Sequence, residues 1–175
     1  MLVAHPLLYV GIVLIILTGL FLLSLVWSLG GLWLPSSKKN IRKMLKMAKL
    51  APGETLYDLG SGNGRIIILA AKEFGAIAVG IEIDAIRYYW SRFLIALNRL
   101  EDQVSVIRAD MFAVDLSDAD VISAFLLQKI NNRLMPKFIK ELKPGTRVVA
   151  NTFIFPGWEV IDRDEKEQLS TYIVK

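Results

Sequence analysis

The chain has 175 residues, 54% of them hydrophobic, a mean hydropathy of +0.45 and a formal net charge of +4. That length holds one compact domain and a short appendage, so one active site is expected. Cysteine is absent and the one histidine, His5, sits in an apolar leader, which excludes disulfides, thiolate or histidine metal sites, a cysteine nucleophile and a Ser-His-Asp triad.

The apolar excess is local. Residues 1–34 contain no Asp, Glu, Lys or Arg. The run from Leu7 to Leu29 covers, at a helical rise of about 1.5 Å per residue, the roughly 30 Å hydrocarbon core of a bilayer. Trp27 and Trp33 lie where indoles favour headgroups, and Gly30, Gly31 and Pro35 end the helix. A cleavable signal peptide would have a shorter apolar core, a basic segment before it and a small-residue cleavage site after it, and none of these is present. Residues 1–34 are therefore expected to form an uncleaved single-pass anchor.

Lys38, Lys39, Arg42, Lys43, Lys46 and Lys49 follow, with no acid before Glu54. The rest of the chain has fewer basic than acidic residues, so the net charge is juxtamembrane and a general nucleic-acid-binding surface is not indicated. Basic flanks stay on the cytoplasmic side, which predicts the N-terminus out and the catalytic domain in. Ile41, Met44, Leu45 and Ala48 share one helical face, so residues 35–50 form a basic amphipathic helix. It either lies against headgroups or packs on the following fold, and both readings stay open.

From residue 51 to 175 short apolar runs alternate with helical segments, the pattern of a parallel sheet covered by helices. Strands are expected near Thr55–Leu59, Ala78–Glu82, Val104–Arg108, Asp120–Phe125 and Thr146–Phe153, and helices near Gly64–Phe74, Ala85–Leu100 and Lys129–Leu142. Trp158–Ile161 and Thr171–Val174 can form a terminal hairpin, giving a seven-stranded α/β sheet with one antiparallel strand.

Ligands bind such sheets at the carboxyl ends of the strands. Between the first strand and first helix lies Asp58-Leu59-Gly60-Ser61-Gly62-Asn63-Gly64-Arg65, where glycines permit a tight turn and the helix start attracts an anion. The GxGxG spacing is not the GxGxxG of a dinucleotide fold, and no Lys-Ser/Thr pair marks a triphosphate loop. Asp58 would repel a pyrophosphate but suits an ammonium group. Glu82 ends the second strand and can accept from both ribose hydroxyls, while Asp110, after the third, can accept from an adenine amino group. The Gly62–Gly64 backbone can receive a carboxylate. Each acid alone could be a solvated loop residue, but three at successive strand ends match one ligand.

These residues resemble the motifs of class I S-adenosylmethionine-dependent methyltransferases, with a Rossmann-like fold. The likeness extends through Val79-Gly80-Ile81-Glu82-Ile83-Asp84, Phe125-Leu126-Leu127, Asn131, Glu141-Leu142-Lys143-Pro144-Gly145 and Phe153–Trp158. From Pro35 to Trp158 the chain is similar to small protein-lysine methyltransferases, broad-specificity archaeal enzymes and mitochondrial relatives with a hydrophobic N-terminal segment whose targets include membrane proteins. The resemblance implies S-adenosylmethionine as cofactor, contacted by Asp58, Gly60, Ser61, Gly62, Gly64, Arg65, Glu82 and Asp110, and a protein substrate. Two positions depart from the pattern: Gln128 stands where Pro is expected and Asn63 where Asp is common.

Methyl transfer from a sulfonium needs positioning and exclusion of water more than a strong base. Phe125, Phe153, Phe155 and Trp158 either line a channel for the acceptor or belong to the core, and Gln128 and Asn151 are candidates to orient an amine through their amide oxygens. The absence of an Asn/Asp-Pro-Pro-aromatic motif argues against nucleic-acid methylation. A lipid or quinone-like acceptor, or a non-catalytic module that binds the cofactor at a membrane, are the alternatives.

Overall fold

The computed structural model describes residues 6–28 and 37–175. The chain divides into two units, Met1–Pro35 and Ser36–Lys175. In the first, Pro6–Ser28 form one helix, α1, whose large apolar side chains from Tyr9 to Leu22 are exposed. Leu29, Gly30, Gly31, Trp33 and Pro35, on which the expected end of the anchor rests, lie outside the described residues. Among the described residues no helix is long and apolar enough to cross a membrane. The stretch with described side chains, Tyr9 to Leu22, falls short of the roughly 20 residues that a span requires.

The second unit begins with α2 (Lys38–Met47) and continues β1 (Thr55–Leu59), α3 (Arg65–Phe74), β2 (Ile77–Glu82), α4 (Ala85–Leu97), β3 (Val104–Arg108), β4 (Val121–Ala124), α5 (Gln128–Glu141), β5 (Arg147–Asn151), β6 (Val160–Asp164) and β7 (Leu169–Ile173). The strands form one sheet in the order β3-β2-β1-β4-β5-β7-β6. Neighbours are parallel from β3 to β5, and β7 runs antiparallel to both β5 and β6. Strand order therefore reverses between β1 and β4, the place where open α/β sheets take their ligands.

Two apolar layers cover the sheet. Ile41, Met44 and Leu45 of α2, Ile67 and Leu69 of α3 and Ile95 of α4 join one cluster, while Leu134 and Phe138 of α5 join Phe155 and Tyr172 in the other. The apolar face of α2 is thus packed on the fold, with Leu45 and Ala48 wholly buried. Its basic side faces out, where Arg42 pairs with Glu73 at 2.7 Å and Lys43 pairs with Asp164.

Several elements end earlier than periodicity predicts, each for a local reason. Helix α4 stops at Leu97 because Asn98 caps it, its side-chain amide donating to the Leu94 carbonyl at 2.6 Å, and Arg99 then turns at φ 56°. Strand β5 stops at Asn151, and not at Phe153, because Thr152 takes φ 68° and the Phe153 amide folds back to the Asn151 carbonyl at 2.8 Å. The terminal hairpin starts late, at Val160, because Gly157 turns at φ 79° and Trp158 packs against Phe155 and Tyr172.

One guanidinium ties α2 to the sheet. From β5, Arg147 donates to the Ala48 and Lys49 carbonyls at 3.0 and 2.9 Å and to Glu54 at 2.6 Å. The orphan carbonyls at the end of a helix need such partners. Charge-assisted hydrogen bonds are each worth about 1.5–3 kcal/mol, so Arg147→Ala is expected to lower unfolding free energy by about 2 kcal/mol. Arg147→Lys should recover little, because one ammonium cannot reproduce the fork. Denaturant titration of both variants checks this.

Candidate active site

The site grows from the loop joining β1 to α3. Gly60, Gly62 and Gly64 have φ of 77°, 57° and 75°, a left-handed sequence that side chains resist. The Gly60 and Ser61 amides both donate to the Ile81 carbonyl at 2.9 and 3.0 Å, which folds the loop back over the end of β2. Two missing Cβ atoms let it lie there. A Cβ on Gly80 would come within 2.6 Å of Ser61 Oγ and 2.9 Å of Ile67 Cδ1, and one on Gly64 within 2.2 Å of Ser91 Oγ.

Asp58 is 2% exposed. Its Oδ1 accepts from Ser123 Oγ of β4 at 2.8 Å, while Oδ2 is buried with no hydrogen-bond partner. Burial pushes its carboxyl up to about 7; the Ser123 hydrogen bond opposes this and the neighbouring charge of Glu82 adds to it. A buried carboxylate with one open oxygen is a receptor for a cation.

Glu82 is also buried. Its Oε2 accepts from the Gly62 amide at 2.8 Å and its Oε1 from the Asp84 amide at 2.9 Å. Each oxygen keeps a second lone pair for a ligand hydroxyl. Asp110 is exposed past β3, with Oδ1 taking the Phe112 amide at 3.0 Å. Since β3, β2 and β1 are adjacent in the sheet, the three acids stand in a row along its carboxyl edge. Arg65, partly buried, opens α3.

Two of the loop amides expected to receive an anion are already engaged: the Gly62 amide is held by Glu82 and the Gly64 amide by the Ser61 carbonyl at 2.9 Å. The start of α3 has no side-chain cap, and amides at a helix start favour an anion.

The residues expected to face the acceptor lie at the ends of β4 and β5. Gln128 Nε2 donates to the Ile154 carbonyl at 2.8 Å and to Asn132 Oδ1 at 2.7 Å, and its Oε1 accepts from the Ile154 amide at 3.2 Å. Buried Asn131 donates to the Phe153 carbonyl at 3.3 Å. Helix α5 thus holds the segment after β5. Asn151 Oδ1 accepts from Thr152 Oγ1 at 3.1 Å. Of the aromatics, Phe155 is 1% exposed and stacks with Phe138, Trp158 and Tyr172, so it and Trp158 belong to the core. Phe125 and Phe153 remain partly exposed.

Sequence reasoning missed Ser123 and Ser91. A single serine in the apolar run Val121-Ile122-Ser123-Ala124 was the available signal for the first, since a polar group inside a buried strand needs a partner. Ser91 has no such signal on a helix. It is visible only through its contact distance to Gly64.

Residues 58–162 match the model of the ANTKMT methyltransferase domain. The chain belongs to this family. A protein-lysine N-methyltransferase of Saccharolobus islandicus is 44% identical over 127 residues, 72% of this chain and 79% of that protein. The adenine nucleotide translocase lysine N-methyltransferase of Mus musculus is 32% identical over 134 residues, again 72% of this chain, but the match spans only 55% of the mouse protein. A crystal structure of an RNA methyltransferase from Salinibacter ruber in complex with S-adenosyl-L-homocysteine has a TM-score of 0.76 and 36% identity, covering 80% of this chain and 92% of that one.

The protein is therefore an S-adenosylmethionine-dependent methyltransferase, and the site fits that cofactor: the open oxygen of Asp58 answers the one cationic amine of its amino-acid end. An ammonium there favours the ionised carboxyl. Below pH 7 free Asp58 holds a proton that must leave, so calorimetric affinity for S-adenosylmethionine should weaken up to about tenfold per pH unit. Without ligand the sign for stability is opposite. Between 3.8 and about 7 the folded chain keeps a proton the unfolded chain has lost, so this group's contribution to stability falls as pH rises through that window. Asp58→Asn should raise the melting temperature at pH 8 and abolish binding.

Proposed function

We propose that this methyltransferase N-methylates lysine side chains of proteins, held at a membrane by α1 with the catalytic domain on the cytoplasmic side. The observation that carries the reading is the buried, half-satisfied Asp58 beside Glu82, which equips the sheet edge for an adenosyl sulfonium. Likeness to lysine N-methyltransferases over 72% of the chain supports the acceptor class. For the anchor, the support is in the sequence: residues 1–34 carry no charged side chain and six basic residues follow from Lys38 to Lys49.

When bound, S-adenosylmethionine would supply a methyl group to a neutral amine and leave as S-adenosylhomocysteine, the C–S bond breaking as the C–N bond forms. Asp58, Glu82 and Asp110 would hold its amine, ribose and purine ends. Phe125 and Phe153 lower the polarity around the acceptor, which disfavours the ammonium form and releases its proton to solvent. Asn151 orients the incoming amine through the second lone pair of Oδ1. Gln128 fixes the segment that forms the far wall through its bonds to Ile154. With both replaced by Ala, kcat should fall by about 10²-fold, in line with loss of near-attack geometry, while cofactor affinity is kept. Unchanged turnover would eliminate these roles.

Tritiated methyl transfer into isolated membranes, separated into protein, lipid and RNA, tests the acceptor. Label in protein, converted to methyl-lysine on hydrolysis, is expected. Label in the lipid extract would favour a lipid or quinone-like acceptor, label in RNA the acceptor named for the Salinibacter ruber enzyme, and cofactor binding without transfer a non-catalytic module. Retention of the chain in the pellet after alkaline carbonate washing tests the anchor, and its release would refute it.

A further inference from the structure

Helix α4 is apolar on the side that faces away from the fold. Ser91 and Ile95 point into the core, whereas Ile86, Tyr89, Trp90, Phe93 and Leu97 are 80%, 61%, 53%, 54% and 67% exposed. Their spacing of three and four residues aligns them in one stripe down the outer surface, with Trp90 and Phe93 in ring contact at 5.5 Å. A helix apolar on both faces belongs in a core or against lipid, and a contiguous exposed patch of this kind marks an interaction surface.

Charge indicates which surface it meets. The α2–α3–α4 layer carries Lys38, Lys39, Arg42, Lys46, Arg65 and Lys72, against Glu73, which Arg42 engages. A groove of about 440 Å³ runs between the three helices, lined by three cations, Lys38, Arg65 and Lys72, and one acid, Glu73, with Asn63 and Asn98. Next to an aromatic stripe, this is the combination of an interfacial helix: Trp, Tyr and Phe at headgroup depth, and cations for lipid phosphates. At the head of the stripe the N-cap Asp84 is engaged by the Arg87 amide at 2.8 Å, and Glu101 and Asp102 lie beyond its C-terminal end in the turn to β3.

We infer that the outer face of α4 lies on an anionic bilayer surface, with the stripe in the headgroup–acyl boundary and the basic groove against lipid phosphates. This rests on residues of the second unit alone and is independent of the methyl acceptor. It also differs from the anchor, which would hold the chain on a membrane whichever face the domain turned to it.

The chain has no cysteine, so Phe93→Cys and Ile139→Cys each give one attachment point for a nitroxide. Ile139, 68% exposed, lies on α5, which packs on the opposite face of the sheet. The full chain would be reconstituted into vesicles of phosphatidylcholine and phosphatidylglycerol, roughly two to one, floated on a density gradient and read by electron paramagnetic resonance. Expected is a label at 93 shielded from a water-soluble nickel chelate and open to oxygen, at a depth of about 5–10 Å, with the label at 139 in water. Vesicles of phosphatidylcholine alone should restore part of the nickel access at 93. A label at 93 as accessible as that at 139 on floating vesicles overturns this inference and leaves the anchor standing; a chain that fails to float overturns both. Spin–spin broadening at 93 that grows with protein concentration assigns the stripe to a second copy, and also overturns it.

Discussion

One carboxylate governs this site. Asp58 sits at the end of a central strand, 2% exposed, with one oxygen satisfied by Ser123 and the other open. Holding such a group costs stability, since burial disfavours its charge and Glu82 adds to the penalty. The surrounding architecture makes that cost useful. Reversal of strand order between β1 and β4 puts Ser123 beside Asp58, their registers paired directly, and sets Glu82 on the adjacent strand.

The same constraint explains the glycines. The loop must lie close enough to β2 for Glu82 to take the Gly62 amide, and this requires that Gly80 of β2 and Gly64 of the loop carry no Cβ. Position, more than hydrogen-bonding capacity, is what these glycines supply. The Gly60, Ser61, Gly62 and Gly64 amides fasten the loop, and the start of α3 has no side-chain cap. The cofactor half is therefore rigid, built from strand ends and helix starts, which suits a reaction that depends on alignment.

Much of this was legible in the sequence. Alternation of apolar runs with helical segments located every strand and helix of the sheet domain, because buried parallel strands and amphipathic helices write different periods. Acids at successive strand ends pointed to the ligand. Element ends were less legible: a positive φ at Thr152 or a capping side chain at Asn98 answers to tertiary contacts that periodicity does not encode. The two readings of the basic helix were indistinguishable until Ile41, Met44 and Leu45 were seen in the core. The engagement of the Gly62 and Gly64 amides within the loop was not legible, because spacing reveals where a turn is and says nothing of which way its N–H groups point. Phe155 and Trp158 read as channel or core alike, and only their stacking on Phe138 decided the matter.

The tie between Gln128 and Ile154 has an evolutionary implication. Both of its bonds end on main-chain atoms, an amide and a carbonyl, so the fastening is indifferent to what residue 154 is. That side chain is 46% exposed at the rim. Descendants of this chain could vary the shape and polarity offered at that point while the frame behind it stays shut, provided the glutamine is kept.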